Sequence, residues 1–179
     1  MDQMRQDIDR PVDNPLNHSI SIDVNEELID QFIDTPELIH SLKNIATVLR
    51  PYDDVQFYTD SSLQRDPSFI DSMGISWINV NQEQVYFSAL AILWPSSTKA
   101  EMLACLSALI VAPPRTQVTI FTDSAATIAG FDQLDAFMQL SVKKKEKTPN
   151  FRIWMTIDYI IRTLDLKVKM VKVKAHSGD

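Results

Sequence analysis

Two nearly identical short motifs each supply one aspartate to this chain. Tyr58–Ser62 reads Tyr-Thr-Asp-Ser-Ser, and 63 positions later Phe121–Ala125 reads Phe-Thr-Asp-Ser-Ala. In each copy the strand pattern gives way at the aspartate, so we expect Asp60 and Asp123 at the carboxyl ends of two strands. Open α/β sheets place their functional sites at that end. Taken singly, each aspartate is equally well a turn residue, and Asp123 could be the N-cap of the helix after it.

A third carboxylate comes from the intervening segment Ser96–Glu101, which opens a strongly apolar helix. We expect Glu101 in the first turn of that helix and at least partly enclosed, because its neighbours are Ala, Met, Leu and Cys. A buried carboxylate without a partner is costly, and a bound cation offsets that cost. Two aspartates and a glutamate supply the hard oxygen ligands that Mg²⁺ prefers. The three residues therefore predict a divalent-metal site.

The segments that must position these residues alternate between strand and helix patterns. The sequence predicts strands over Val55–Thr59, Gly74–Val80, Val85–Leu93, Gln117–Thr122 and Leu166–Val173. It predicts helices over Thr98–Ala112, Ser124–Leu134 and Phe151–Leu164, with a lysine-rich loop over Ser141–Asn150. The short link after Val80 favours an antiparallel hairpin. The order predicts an α/β fold, a mixed five-stranded sheet with helices on its faces.

The amino-terminal part differs from the rest in composition. Residues 1–26 are acidic, carry many Asp and Asn and show little periodicity, so we expect them to be disordered. Residues 27–53 show helical spacing and predict two short helices that need a surface to pack on, followed by a linker. The main domain is expected over residues 54–179.

Composition and charge restrict the class of protein. The formal net charge is −7, but residues 141–179 hold ten bases and four acids, so a basic carboxyl-terminal part could face phosphates. No apolar run is long enough for a membrane helix, and the polar amino terminus does not resemble a signal peptide. The single Cys105 excludes an intrachain disulfide and favours an intracellular setting, cytoplasmic or nuclear. We interpret Cys105 as a core residue.

Four blocks together resemble a type 1 ribonuclease H domain of the kind associated with retroelements and reverse transcriptases. They are Tyr58–Ser62, Ser97–Glu101, Thr122–Ser124 and Lys172–Gly178, in matching order and spacing. The resemblance implies a mixed sheet in the order 3-2-1-4-5 with helices on both faces. It implies a metal-dependent endonuclease, a hydrolase that cleaves the RNA strand of RNA–DNA hybrids.

The resemblance also implies roles for individual residues. Asp60, Glu101 and Asp123 would be catalytic ligands of two Mg²⁺ ions, with Mn²⁺ as an alternative, and Asp60 would bridge the pair. The implied chemistry is two-metal hydrolysis, in which one ion activates the attacking water and the other stabilises the departing 3′ oxygen. His176 would assist proton transfer or product release.

Recognition of the hybrid would depend on its shape and on its 2′-hydroxyl groups. Small polar residues beside the carboxylates and a lysine run are the candidate nucleic-acid contacts: Ser61, Ser97, Thr98, Ser124, Lys143, Lys144 and Lys145. We also expect the last strand to present four lysines on a single face, as phosphate contacts or as a solvated surface: Lys167, Lys169, Lys172 and Lys174.

The chain departs from the family pattern at several points. The family's fourth carboxylate follows the histidine by about ten residues at the start of a last helix, and Asp179 does not match it. We therefore expect a domain that is truncated at its C-terminus and lacks its last helix. Ser61 stands where the family usually has glycine, and Ala125 stands where a glutamine often contacts the hybrid.

Other functions remain open at this point. A catalytically impaired relic that binds nucleic acid or a protein partner would share the fold, and the absent fourth acid favours it. A metal-dependent adhesion domain is disfavoured because Asp60–Gln64 breaks the Asp-x-Ser-x-Ser spacing. An integrase or exonuclease is disfavoured by the loop around His176. We expect a monomer that acts on RNA–DNA hybrid, derived from a retrotransposon, with an upstream polymerase domain in a longer parent protein.

Overall fold

The computed structural model describes residues 23–64, 72–81, 84–91 and 95–174. Five strands form one sheet: β1 Asp54–Gln64, β2 Ser72–Asn79, β3 Tyr86–Ala91, β4 Gln117–Thr122 and β5 Lys167–Lys172. Their spatial order is β3-β2-β1-β4-β5, with antiparallel pairing among β1, β2 and β3 and parallel pairing of β4 to both β1 and β5. This arrangement confirms the predicted α/β fold with the sheet order 3-2-1-4-5.

The described residues also form seven helices: α1 Val24–Phe32, α2 Pro36–Leu49, α3 Ser97–Ile110, α4 Ala125–Asp132, α5 Leu134–Met138, α6 Val142–Lys145 and α7 Phe151–Leu164. The bounds of α7 and β4 match the prediction. The helix predicted over Ser124–Leu134 is instead two helices, α4 and α5. The lysine-rich segment predicted as a loop contains the one-turn helix α6. None of the helices in the described ranges combines the length and apolar character needed to cross a bilayer.

Helix α3 is the central element of the core. Its residues are buried on nearly every side, as the apolar sequence around Cys105 predicts. One side packs on β1 and β2, whose alternate residues Val55, Phe57, Ile75 and Trp77 are buried. Trp77 Nε1 donates to Ser107 Oγ at 3.1 Å, which satisfies both polar groups inside this contact. The sheet and α3 thereby form a rigid base for the residues at the start of the helix.

The amino-terminal helices share this core. Leu28, Ile29, Leu42 and Leu49 are at most 2% exposed and belong to the same cluster as the residues of α3. Helix α1 begins at Val24 and is capped by Asp23, so the expectation of disorder through residue 26 is wrong for its last residues. The two predicted helices are present: α1 packs against α3 and α7, and α2 packs against α1.

The face of the sheet opposite α3 carries large exposed side chains. Tyr58 is 43% exposed, Tyr86 67% and Leu90 74%. These residues alternate along their strands with the buried ones. The sheet therefore has one packed face and one face with exposed aromatic and aliphatic groups in the described part of the chain.

Candidate active site

Asp60 lies within β1, not at its end. The strand continues to Gln64 in antiparallel register with β2, so the expectation that Asp60 terminates the strand is wrong. The parallel pairing of β1 with β4, however, stops at the pair of Tyr58 with Phe121. Asp60 is therefore just beyond the last β1–β4 pair, where the two strands separate. Its side chain is exposed, on the same face as Tyr58.

Asp123 immediately follows β4, as the sequence predicts. The residue that caps α4 is Ser124, whose hydroxyl accepts a hydrogen bond from the backbone N–H of Thr127 at 3.2 Å. The interpretation of Asp123 as an N-cap is therefore wrong. Its half-buried carboxylate stands between the end of β4 and the start of α4 without that structural role.

Glu101 is the fifth residue of α3, so it lies just past the first turn in which we expected it. The cap of this helix is Ser96, whose hydroxyl accepts from the Lys99 N–H at 3.1 Å. The Glu101 side chain is 6% exposed, which confirms the predicted enclosure. It extends from the amino-terminal part of α3 towards the point where β1 and β4 separate.

Two hydroxyl groups bind the two oxygens of Glu101. Ser61 Oγ donates to Oε1 at 2.5 Å and Thr122 Oγ1 donates to Oε2 at 3.1 Å. The Thr122 hydroxyl also accepts from the Ser124 N–H at 3.1 Å, which links the carboxylate to the turn that carries Asp123. Each oxygen of the buried acid therefore has one hydrogen-bond donor, one from β1 and one from β4.

The three acids influence one another electrostatically. Burial raises the pKa of Glu101, the hydroxyls of Ser61 and Thr122 oppose that rise, and the negative charges of Asp123 and Asp60 add to it. Because a cation would relieve both the burial cost and this repulsion, the donor set fits a hard divalent ion. Even so, across residues 23–64, 72–81, 84–91 and 95–174 no three Asp, Glu, His or Cys side chains are close enough together to form a ready-made metal site.

A cavity of about 550 Å³ adjoins two of the carboxylates on the exposed face of the sheet. Asp60, Asp123 and Lys174 contribute its charged groups, and its remaining lining is aromatic, aliphatic or hydroxyl: Tyr58, Thr59, Ser76, Trp77, Ile78, Tyr86, Phe87, Ser88 and Val173. Tyr58 stacks on Phe121 with ring centroids 4.5 Å apart. These neighbours were not predicted from the sequence, although strand alternation places Ser76, Ile78, Tyr86 and Ser88 on the face of Asp60.

The other predicted site residues, apart from the lysines, are three hydroxyl residues and a histidine. Ser97 is exposed and Thr98 half-buried in the first turn of α3, on the helix that carries Glu101. The Ser124 hydroxyl already contacts Thr127 Oγ1 at 2.9 Å. His176 lies outside the described residues.

The predicted lysine contacts occupy two separate elements. Lys143 and Lys144 are exposed on α6, and Lys145 Nζ lies 5.9 Å from the ring centroid of Phe137. On β5, Lys167 and Lys169 are in register with Gln117 and Thr119, whereas Lys172 is in register with Thr122. Lys172 follows the first two by five and three positions, and these odd steps put it on the other face of the strand. The expectation that one face of β5 holds all four lysines is wrong, because side chains alternate between faces.

Cys105 is a core residue, as expected. Its thiol is buried, and burial together with the negative charge of Glu101 raises its pKa to about 12. A thiol that stays protonated at neutral pH is a poor nucleophile. This residue is therefore excluded from the candidate chemistry.

The sequence matches the family described as RNase H over residues 52–179. Among curated protein sequences, none matches this chain. Solved structures share the fold. A foamy viral protease-reverse transcriptase in complex with dsDNA is 21% identical, with a TM-score of 0.53, over 72% of this chain and 87% of that one.

Two further structures agree with this fold. A foamy viral protease-reverse transcriptase in complex with RNA/DNA hybrid is 19% identical with a TM-score of 0.51, over 67% of this chain and 17% of that one. LC9-RNase H1, described as a type 1 RNase H with the type 2 active-site motif, is 14% identical with a TM-score of 0.50, over 72% of this chain and 66% of that one. This chain thus spans about a sixth of the reverse transcriptase bound to RNA/DNA hybrid and about two thirds of LC9-RNase H1.

Proposed function

The chain belongs to the ribonuclease H family, and we propose that it is a metal-dependent endonuclease that hydrolyses the RNA strand of RNA–DNA hybrids. The observation that carries the proposal is that three acids from separate elements lie near enough to interact electrostatically, with the buried one held at both oxygens. Asp60 comes from β1, Glu101 from α3 and Asp123 from the end of β4, and the first and last both raise the pKa of the buried second. Mutual repulsion of this kind is costly unless a ligand offsets it.

In this proposal Asp60, Glu101 and Asp123 hold divalent metal ions, Mg²⁺ or Mn²⁺. Bound metal would supply the activation of a water molecule and the neutralisation of charge at the scissile phosphate. The residues of the chain prepare the site: burial of α3 fixes the backbone of Glu101, and the partnered hydroxyls fix its carboxylate. His176, by its resemblance to the family histidine, would help to move a proton or release product.

The proposed substrate follows from the family and from the location of the acids. Exposed Ser97 and half-buried Thr98 lie on the same helix as Glu101 and could reach the 2′-hydroxyl groups of an RNA strand. The cations of α6 could contact phosphates, with Lys143 and Lys144 more available than Lys145. A derivation from a retroelement polyprotein, with a polymerase domain upstream, is consistent with the reverse transcriptases among the structural neighbours.

A second candidate is a nucleic-acid-binding or interaction module without turnover. It is favoured by one observation, that the described residues contain no three acids close enough to hold a metal ion as they stand. Binding of metal under the first proposal would have to bring the three carboxylates closer together. The two candidates differ in whether the chain cleaves a hybrid in the presence of metal.

Hydrolysis of a fluorescently labelled RNA–DNA hybrid distinguishes the two candidates. We expect Mg²⁺- or Mn²⁺-dependent cleavage of the RNA strand only, with no cleavage of matched duplex DNA. Asp60→Asn and Glu101→Gln should each abolish it, whereas Ser62→Ala, an exposed hydroxyl in the same strand, should leave it unchanged.

The outcome that contradicts the enzyme proposal is equally specific. Hybrid binding by the unaltered chain with no metal-stimulated cleavage would establish the non-catalytic module. Cleavage that persists in Asp60→Asn at the original rate would show that another group performs the reaction.

A further inference from the structure

We infer that Ser61 is a positioning residue for Glu101, not a nucleic-acid contact. The inference rests on the proposed function, because it concerns the metal-binding role of Glu101. Its physical basis is the hydrogen bond of 2.5 Å that the Ser61 hydroxyl donates to Oε1 of a carboxylate that is 6% exposed. Hydrogen bonds to charged acceptors are shorter and stronger than those between neutral groups.

Strand alternation directs the Ser61 side chain to the Glu101 side of the sheet. Ser61 shares the face of Phe57 and Thr59, both buried, and pairs with buried Ile75 of β2. Asp60, one position earlier, is directed to the opposite, exposed face. Consecutive residues of β1 therefore have different roles: Asp60 is itself an acid of the site, and Ser61 holds the carboxylate of Glu101.

The Glu101 carboxylate is held at both oxygens by different strands. Ser61 of β1 binds Oε1 and Thr122 of β4 binds Oε2, at the level where the two strands no longer pair with each other. Two donors on opposite oxygens prevent the carboxylate from rotating. Each oxygen has a second lone pair, so this arrangement leaves acceptor capacity for a cation.

The same geometry argues against a role for Ser61 in nucleic-acid binding. A serine hydroxyl has one proton to donate, and here it is given to Glu101, so none remains for a phosphate oxygen. A partner that orients a metal ligand in this way typically changes metal affinity by about 10–100-fold when it is removed. The expected effect of losing Ser61 is therefore on metal affinity, with affinity for the hybrid unchanged.

The test is calorimetric titration of the full chain with Mn²⁺, which requires no turnover. Ser61→Ala should weaken Mn²⁺ binding about tenfold, and Ser61→Thr, which keeps the hydroxyl, should restore it. The matched control is Ser62→Ala, the next residue of β1, which is exposed and on the opposite face. Hybrid affinity measured in EDTA should be equal in all of these variants.

A second pair of variants tests the same idea from β4. Thr122→Val keeps the shape of the side chain but loses the hydroxyl, whereas Thr122→Ser keeps the hydroxyl. We expect weaker Mn²⁺ binding in the first and normal binding in the second. If Ser61→Ala does not fold, as shown by circular dichroism in EDTA, this pair decides the outcome.

Glu101→Gln separates failure of this inference from failure of the proposed function. If Glu101→Gln loses Mn²⁺ affinity but Ser61→Ala and Thr122→Val bind normally, the positioning role is wrong and the metal site stands. If Glu101→Gln also binds normally, both are wrong. Loss of hybrid affinity in Ser61→Ala with unchanged Mn²⁺ affinity would overturn the inference in favour of a nucleic-acid contact.

Discussion

Substitution of Asn25 should show how much the contact between α1 and the end of α3 contributes to the free energy of unfolding. Asn25 is 5% exposed in α1, and its Nδ2 donates to the carbonyl oxygens of Ile110 at 2.8 Å and Ala112 at 2.9 Å. The last carbonyl groups of a helix have no partner within the helix; Ile110 is the last residue of α3, and Ala112 lies two residues past it. In Asn25→Ala both buried acceptors lose this donor.

The size of the effect follows from these contacts. A neutral hydrogen bond contributes about 0.5–1.5 kcal/mol net, and a buried acceptor left unsatisfied costs about 1–3 kcal/mol. With two acceptors involved, we expect a loss of about 2–4 kcal/mol in the free energy of unfolding. For a domain of this size that corresponds to a fall in Tm of about 5–15 °C. Asn25→Asp, which has the same shape but replaces the donor with an oxygen, should cost at least as much.

Urea denaturation followed by circular dichroism is the assay, with Asn44→Ala as the matched control. Asn44 is exposed on α2, where its amide contacts His40, so its substitution should change the free energy of unfolding by less than about 0.5 kcal/mol. If Asn25→Ala is as stable as this control, α1 does not secure the end of α3. An unchanged urea transition in Asn25→Ala would also mean that α1 and α2 unfold separately from the sheet.

Three further predictions concern the core and the buried acid. Gly130→Ala should destabilise the fold by about 1–3 kcal/mol, since an added Cβ would approach the ring of Trp154 to 2.3 Å; equal or greater stability in urea would contradict this packing. Cys105 should resist alkylation at pH 8 in the folded chain and react fully in guanidinium chloride, because burial raises its pKa to about 12; rapid labelling of the folded protein would refute its enclosure. In EDTA, the Tm difference between Glu101→Gln and the unaltered chain should grow in favour of the variant as the pH rises above the ordinary glutamate pKa. The pKa of Glu101 is raised in the folded state, so the protonated acid stabilises the fold at low pH and this contribution is lost as the acid ionises. A Tm difference that stays constant with pH would show that the pKa of Glu101 is not raised.

The sequence alone was informative wherever a local pattern determines the structure. The bounds of β4 and α7, the burial of α3 and the enclosure of Glu101 were predicted correctly from periodicity and composition. The sheet order came from the resemblance carried by the four motif blocks, and the structure confirms it. The element bounds and the burial depend on residues a few positions apart, so a short window contains the necessary information.

Two local predictions failed, one because a competing local group was equally suitable and one because of tertiary pairing. Ser124, not Asp123, caps α4, since a serine hydroxyl serves an N-cap as well as an aspartate does. Asp60 was placed at the end of a strand because aspartate is a turn residue, yet pairing with β2 extends the strand to Gln64. The tertiary pairing overrode the propensity in that case.

The contacts that define the candidate site were determined by the tertiary structure. Ser61 and Glu101 are 40 positions apart, and Thr122 and Glu101 are 21 apart, so no periodicity links them. The register of β1 against β4 and the position of α3 over the sheet decide which hydroxyls meet the buried acid. The sequence determined that Asp60, Glu101 and Asp123 would be delivered to one region of the sheet. Only the packing of α3 against the strands decided that Glu101 is held from both sides while Asp60 faces the exposed surface.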